Sequence, residues 1–176
     1  MHDKMSVGVW SFGMGTDRYV DKGYKPYINF DERVENISQI QGVKGIEATF
    51  PQDINHDNYE EKLKLLEEKD LEVSCMGVEL VCDEQWKNGS FTATDPKRRK
   101  ISIELTKKAM DLAEKLGVKV LNLWLGQDGF DYVFQADYAT AWQHLIDSLR
   151  ECADHNPDIK LGIEYKASEP KMNCMV

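Results

Sequence analysis

The sequence predicts an α/β fold built from parallel strand-helix units, and two observations carry that reading. Apolar runs with a two-residue period alternate along the chain with segments of helical spacing, five of the former and four of the latter. The last two strand-like runs each end in a cluster of polar residues, and in parallel α/β sheets ligands bind beyond the carboxyl ends of the strands.

The first run, residues 6–12 (Ser-Val-Gly-Val-Trp-Ser-Phe), reads as a strand with Val7 and Val9 on one face and Trp10 on the other, closed by Gly13 and Gly15. This Gly-x-Gly lacks the third glycine and the helix start of a dinucleotide loop. Residues 29–41 read as a helix with an Asn29/Glu32 capping box, a buried stripe of Val34, Ile37 and Ile40, and Gly42 as its stop. Residues 45–50 form the second strand, with Ile46, Ala48 and Phe50 opposite Glu47 and Thr49, and Pro51 after them. Glu47 either closes a salt bridge low in the interior or answers Lys166 or a substrate hydroxyl, since a mid-strand carboxylate needs a partner. His56, in the loop beside Asp53 and Asp57, reads as solvated.

Asp57 with Glu60 is expected to cap the second helix, whose stripe is Tyr59, Leu63 and Leu66. A third strand covers 71–80. The loop 81–95 carries Trp86, Phe91 and Thr92, and its aromatics are expected either to fold over a ligand or to pack on the loop itself. Asp95-Pro96 opens a third helix that buries Ile103, Met110, Leu112 and Leu116 and stops at Gly117. In the fourth strand, 119–125, Leu121, Leu123 and Leu125 face the helices, leaving Asn122 and Trp124 for the interior. A fourth helix from near Asp137 carries Tyr138, Trp142, Leu145, Ile146, Leu149 and Ala153 on one stripe, with His144 at its boundary, and ends at Asn156-Pro157. The fifth strand, 160–167, delivers Glu164 and Lys166 to one face. On the residues alone, these two are either a simple ion pair or a site.

The net charge of −9 argues against nucleic acid and anionic membrane as partners, because such proteins carry a basic footprint. There is no apolar stretch of signal-peptide or bilayer-spanning length, so a cytoplasmic location is expected. Cys75, Cys82, Cys152 and Cys174 form no Cys-x-x-Cys pair and read as reduced, mostly buried thiols.

Several segments carry a family resemblance. Trp124-Leu-Gly126-Gln-Asp-Gly129 closes one strand and Glu164-Tyr-Lys166-Ala-Ser-Glu169-Pro170 closes the next. The segments Gly89-Ser-Phe91-Thr-Ala-Thr-Asp95-Pro96 and Asp128-Gly-Phe-Asp131-Tyr132-Val-Phe-Gln135-Ala-Asp137-Tyr138 accompany them. Together they resemble the xylose isomerase-like (β/α)8 barrels, a family of sugar isomerases and epimerases, from about Val7 to the last residue. The resemblance implies a partial TIM barrel of about five parallel strands and four helices, forming a single domain over 1–176. It implies that Glu164 is a divalent-metal ligand and that Lys166 contacts the sugar near its reacting carbonyl. The metal expected is manganese, with magnesium, cobalt or zinc as alternatives.

The activity so implied is aldose-ketose isomerisation or ketose epimerisation, through a metal-stabilised enediolate or a hydride shift. Trp10, Phe91 and Trp124 are expected to wall the sugar pocket, and Gln127 and Asp128 to bond sugar hydroxyls. A closed barrel takes about 250 residues, so three strands and their metal ligands are missing and the chain alone is expected to be inactive. A longer polypeptide, a second chain completing the barrel, or a homo-oligomer would supply the rest. Three other readings stay open: the catalytic subunit of a metal-dependent carbon-glycoside deglycosidase of the same family, a non-catalytic sugar-binding domain, and a doubly wound five-stranded sheet. The last needs a final helix, for which residues 168–176 leave no room.

Overall fold

The computed structural model describes residues 4–16, 20, 22–166 and 173–175. The chain divides into two compact units, Met1–Met76 and Gly77–Val176, with the division inside a strand.

The first unit holds strands β1 (Met5–Gly8), β2 (Val43–Phe50) and most of β3 (Glu72–Val78), with helices α1 (Phe30–Ser38) and α2 (Tyr59–Glu68) in the connections. β1 runs parallel to β2, with Val7 opposite Ile46 and Gly8 opposite Glu47. β3 lies on the other side of β2. The expected strand over 6–12 is cut short: it ends at Gly8, and residues 9–12 turn as a 3-10 segment. The cause is local, because the Trp10 ring folds back onto Gly8, where an added Cβ would lie 2.4 Å from the indole.

Asn29 caps α1 as expected. Its side chain accepts the Glu32 amide at 2.9 Å, and the Glu32 carboxylate accepts the Asn29 amide in return. Val34 and Ile37 are fully buried, but the helix ends at Ser38, so Ile40 leaves the stripe and is exposed. Asp57 does not cap α2. Asn58 is the cap residue, and Asn55 and Asn58 bond each other's backbone in the turn before it. His56 is exposed and meets the edge of Phe50 at 5.8 Å.

The second unit holds α3 (Pro96–Lys115), β4 (Val120–Trp124), β5 (Gly129–Phe130), α4 (Tyr138–His155), β6 (Lys160–Glu164) and β7 (Asn173–Cys174). β4 and β6 are parallel and in continuous register from Val120 opposite Lys160 to Trp124 opposite Glu164. β5 and β7 form a small antiparallel pair that the apolar pattern did not announce. Asp95 caps α3 by accepting the Lys97 amide at 2.9 Å, and Asp137 caps α4 by accepting the Thr140 amide at 3.1 Å. The α4 stripe differs from the expected one. Leu145, Ser148 and Cys152 are buried, whereas Tyr138 and Trp142 are about half exposed and Ala153 is exposed.

All four cysteines are free thiols, but only Cys152 is fully enclosed, and Cys82 is exposed. Burial pushes the Cys152 thiol up to about 12. Among the described residues, no helix is long and apolar enough to cross a membrane.

Candidate functional site

The site is assembled where β4 and β6 end side by side. Leu121, Leu123 and Leu125 are buried on one face of β4, which turns Asn122 and Trp124 to the other. Asn122 lies two residues back from the strand end, opposite Gly162, and its amide reaches across to β6. Asn122 Nδ2 donates to Glu164 Oε2 at 2.8 Å, so Glu164 shares the face of Asn122 and Trp124. Glu164 and Lys166 are both exposed. Two residues further on, Lys166 Nζ lies 5.7 Å from the centroid of the Trp124 ring, within the range of a cation–π contact.

Four of the polar and aromatic side chains named from the sequence therefore converge: Asn122, Trp124, Glu164 and Lys166. The carboxylate is held by an amide, the ammonium sits by an indole face, and both stay open to solvent. Ile163, which precedes Glu164 in β6, belongs to the opposite side and is 39% exposed, and Tyr165 is 82% exposed.

The remaining named residues lie elsewhere. Trp10 is in the first unit and about half exposed, with its ring against Gly8. Phe91 has no exposed surface, so its ring does not wall an open pocket. Gln127 is half-buried, and its side-chain amide donates to the Val81 carbonyl at 3.3 Å. Asp128 is also fully enclosed: its carboxylate accepts from Ser90 and Thr92 and is closed to a sugar hydroxyl in this arrangement. Glu169 and Pro170 lie outside the described residues.

A divalent cation needs several oxygen or nitrogen ligands. Glu164 offers one carboxylate, and among the described residues no group of three or more His, Cys, Asp or Glu is placed to hold a metal. These residues do not make a metal site by themselves.

Parallel strands with intervening helices and polar groups at the strand ends define the class as a (β/α) barrel portion, five parallel strands and four helices long. Residues 34–172 match the xylose isomerase-like TIM barrel model, and the chain belongs to that family. It is 29% identical over 110 residues to a xylose isomerase of Thermus thermophilus, covering 62% of this chain and 28% of the relative. It is 28% identical over 110 residues to the xylose isomerase of Thermus caldophilus, with the same coverage. Among solved structures, it resembles a D-tagatose 3-epimerase-like protein with a TM-score of 0.67 at 14% identity, over 97% of this chain and 55% of that one. D-psicose 3-epimerase from Clostridium cellulolyticum H10 matches with a TM-score of 0.62 at 17% identity, over 90% of this chain and 51% of that one. The chain thus spans about half the length of these structures and under a third of the curated relatives.

Proposed function

We propose that this chain is the amino-terminal half-barrel, folded as one domain, of a sugar isomerase or epimerase, and that Glu164 and Lys166 act on the sugar. The observation that carries the proposal is the placement of both groups at the carboxyl end of β6, beside Asn122 and Trp124. The xylose isomerase and 3-epimerase names of the relatives support the same substrate class.

Moving hydrogen between neighbouring sugar carbons builds negative charge on an oxygen. An ammonium fixed near that oxygen stabilises the charge as it develops, which is the role we assign to Lys166. Resting against the Trp124 ring limits the freedom of the long lysine stem. The Asn122 amide orients Glu164 by engaging one carboxylate oxygen. The indole offers an apolar wall to the C–H face of a sugar ring and excludes water from one side.

Metal dependence belongs to the same proposal. Glu164 would be one ligand of a site completed by residues outside the described ones, and manganese is the metal we expect. When bound, such a cation supplies Lewis-acid polarisation of a sugar oxygen. The 176-residue chain assayed alone is expected to be inactive, and the polypeptide or assembly that supplies the remaining strands to be active.

The test is an assay of ketohexose epimerisation and aldose-ketose exchange by that complete assembly, with manganese and then with chelator. Activity should vanish with chelator, and Glu164→Gln should lower kcat by roughly 100-fold or more, the usual scale for removing a group that acts on developing charge. Full activity of the Glu164→Gln protein, or none on any ketose or aldose by the unaltered one, would reject the proposal.

A further inference from the structure

The turn that closes β4 is built around a carboxylate that the proposed chemistry leaves unused. Asp128 has no exposed surface. Its Oδ2 accepts the Ser90 amide at 3.0 Å and also the Ser90 hydroxyl. Its Oδ1 accepts the Thr92 amide and the Thr92 hydroxyl, each at 2.6 Å. Its own backbone amide donates to the Leu125 carbonyl at 2.9 Å, which closes the turn, and its carbonyl accepts the Met175 amide at 2.9 Å. A buried carboxylate persists only when its oxygens are filled by donors or a cation. Here two hydroxyls and two amides fill them, and they come from residues 36 and 38 positions away.

The turn so anchored lies on the site's indole. At Gly126 an added Cβ would sit 2.9 Å from the Trp124 ring, so the backbone and the ring are in contact there and only glycine allows it. The same ring carries Lys166 Nζ at 5.7 Å and belongs to the residue opposite Glu164 in register. A line of contacts therefore runs from Ser90 and Thr92 to Asp128, along the 125–128 turn to Gly126, and from there to the Trp124 ring and Lys166.

We propose that Asp128 is a positioning residue: by locking the 125–128 turn to Ser90 and Thr92, it seats the Trp124 indole on which Lys166 rests. The importance of this for turnover rests on the proposed function, whereas the seating itself does not. Asn at 128 keeps the shape but replaces one acceptor oxygen by an NH2 donor, which must face the donors of Ser90 or Thr92. It loses about half of the clasp. The pair Ser90→Ala and Thr92→Val removes only the hydroxyl donors.

The test uses the 176-residue chain labelled with 5-fluorotryptophan, whose four tryptophans give four 19F resonances assignable by single Trp→Phe changes. Asp128→Asn should move the Trp124 resonance while leaving those of Trp10 and Trp142 in place, and the double Ser90→Ala/Thr92→Val change should move it less in the same direction. Amide exchange in the 125–128 turn should quicken by about 10- to 100-fold, the scale for losing charge-assisted hydrogen bonds. If exchange quickens at 90–92 while the Trp124 resonance stays put, Asp128 only staples a loop and the inference is wrong. Should Asp128→Asn fail to fold, the double variant decides by the same resonance: a shift supports the seating and no shift overturns it. An active assembly indifferent to Glu164→Gln would reject the isomerase reading while the 19F result still judged the seating.

Discussion

Asp53 and Arg33 form an ion pair at 2.7 Å whose side chains are 5% and 15% exposed. The second carboxylate oxygen accepts the Thr49 amide at 2.9 Å, so Asp53 ties α1 to the turn after β2. Removing one member of such a pair leaves the other charge poorly solvated, and Asp53→Ala is expected to cost about 3 to 5 kcal/mol in a urea titration. A cost below about 1 kcal/mol would mean that water reaches the pair. Asp53 stood in the sequence only as one acid near a histidine, because nothing local says that an arginine 20 positions earlier would meet it. Glu164 and Lys166 were more legible, since alternation along a strand places residues two apart on one face whatever surrounds them. Their partners Asn122 and Trp124 follow from the same alternation on β4, but the bond between Asn122 and Glu164 depends on the register of two strands.

Helix starts are legible in the sequence where a side chain bonds its own first turn. Asn29 and Asp95 cap as expected, Asp57 does not, and Asp137, near which α4 was expected to begin, also caps, with donor and acceptor two or three residues apart in each cap. The Asp137 carboxyl is held below the usual carboxylate range by the Thr140 hydroxyl and amide. A carboxyl whose folded pKa lies below its unfolded one stabilises the fold above the unfolded value, near pH 4, and that contribution is lost as pH falls through the folded pKa. Asp137→Asn should therefore keep the cap but flatten the acid limb of a stability-against-pH curve below about pH 4; an unchanged limb would show that other carboxyls set it. On β4, Leu121 and Leu123 are fully buried as alternation predicts, and Leu121→Ala should destabilise by about 2 to 5 kcal/mol through the cavity it leaves. The α4 stripe is narrower than its spacing predicts, because helical spacing gives a direction but not a width. Tyr138 and Trp142 share the periodicity of Leu145 yet remain half exposed, which tertiary cover alone determines.

The whole chain carries a net charge of −9 and a good deal of aromatic and apolar surface on its second unit. Phe134 is 85% exposed, and Tyr132, Val133, Tyr165 and Ile163 are exposed as well. Exposed apolar surface of this kind attracts hydrophobic dyes and partners. Replacing Phe134 with Ser and Ile163 with Lys should lower the fluorescence of bound ANS without lowering the urea midpoint, and undiminished ANS binding would place the dye elsewhere. Family membership was also legible, because the Gly-Gln-Asp-Gly and Glu-x-Lys segments are short and contiguous. By itself the sequence determined the alternation of the main parallel strands with four helices, the caps of α1 and α3, and the face that holds Glu164, all of which depend on neighbours within a few residues. Tertiary structure alone decided that Asp128 and Phe91 are enclosed and that Asn122 holds Glu164. The physical reason is that burial and cross-strand bonding depend on residues tens of positions apart meeting in space, which no local pattern encodes.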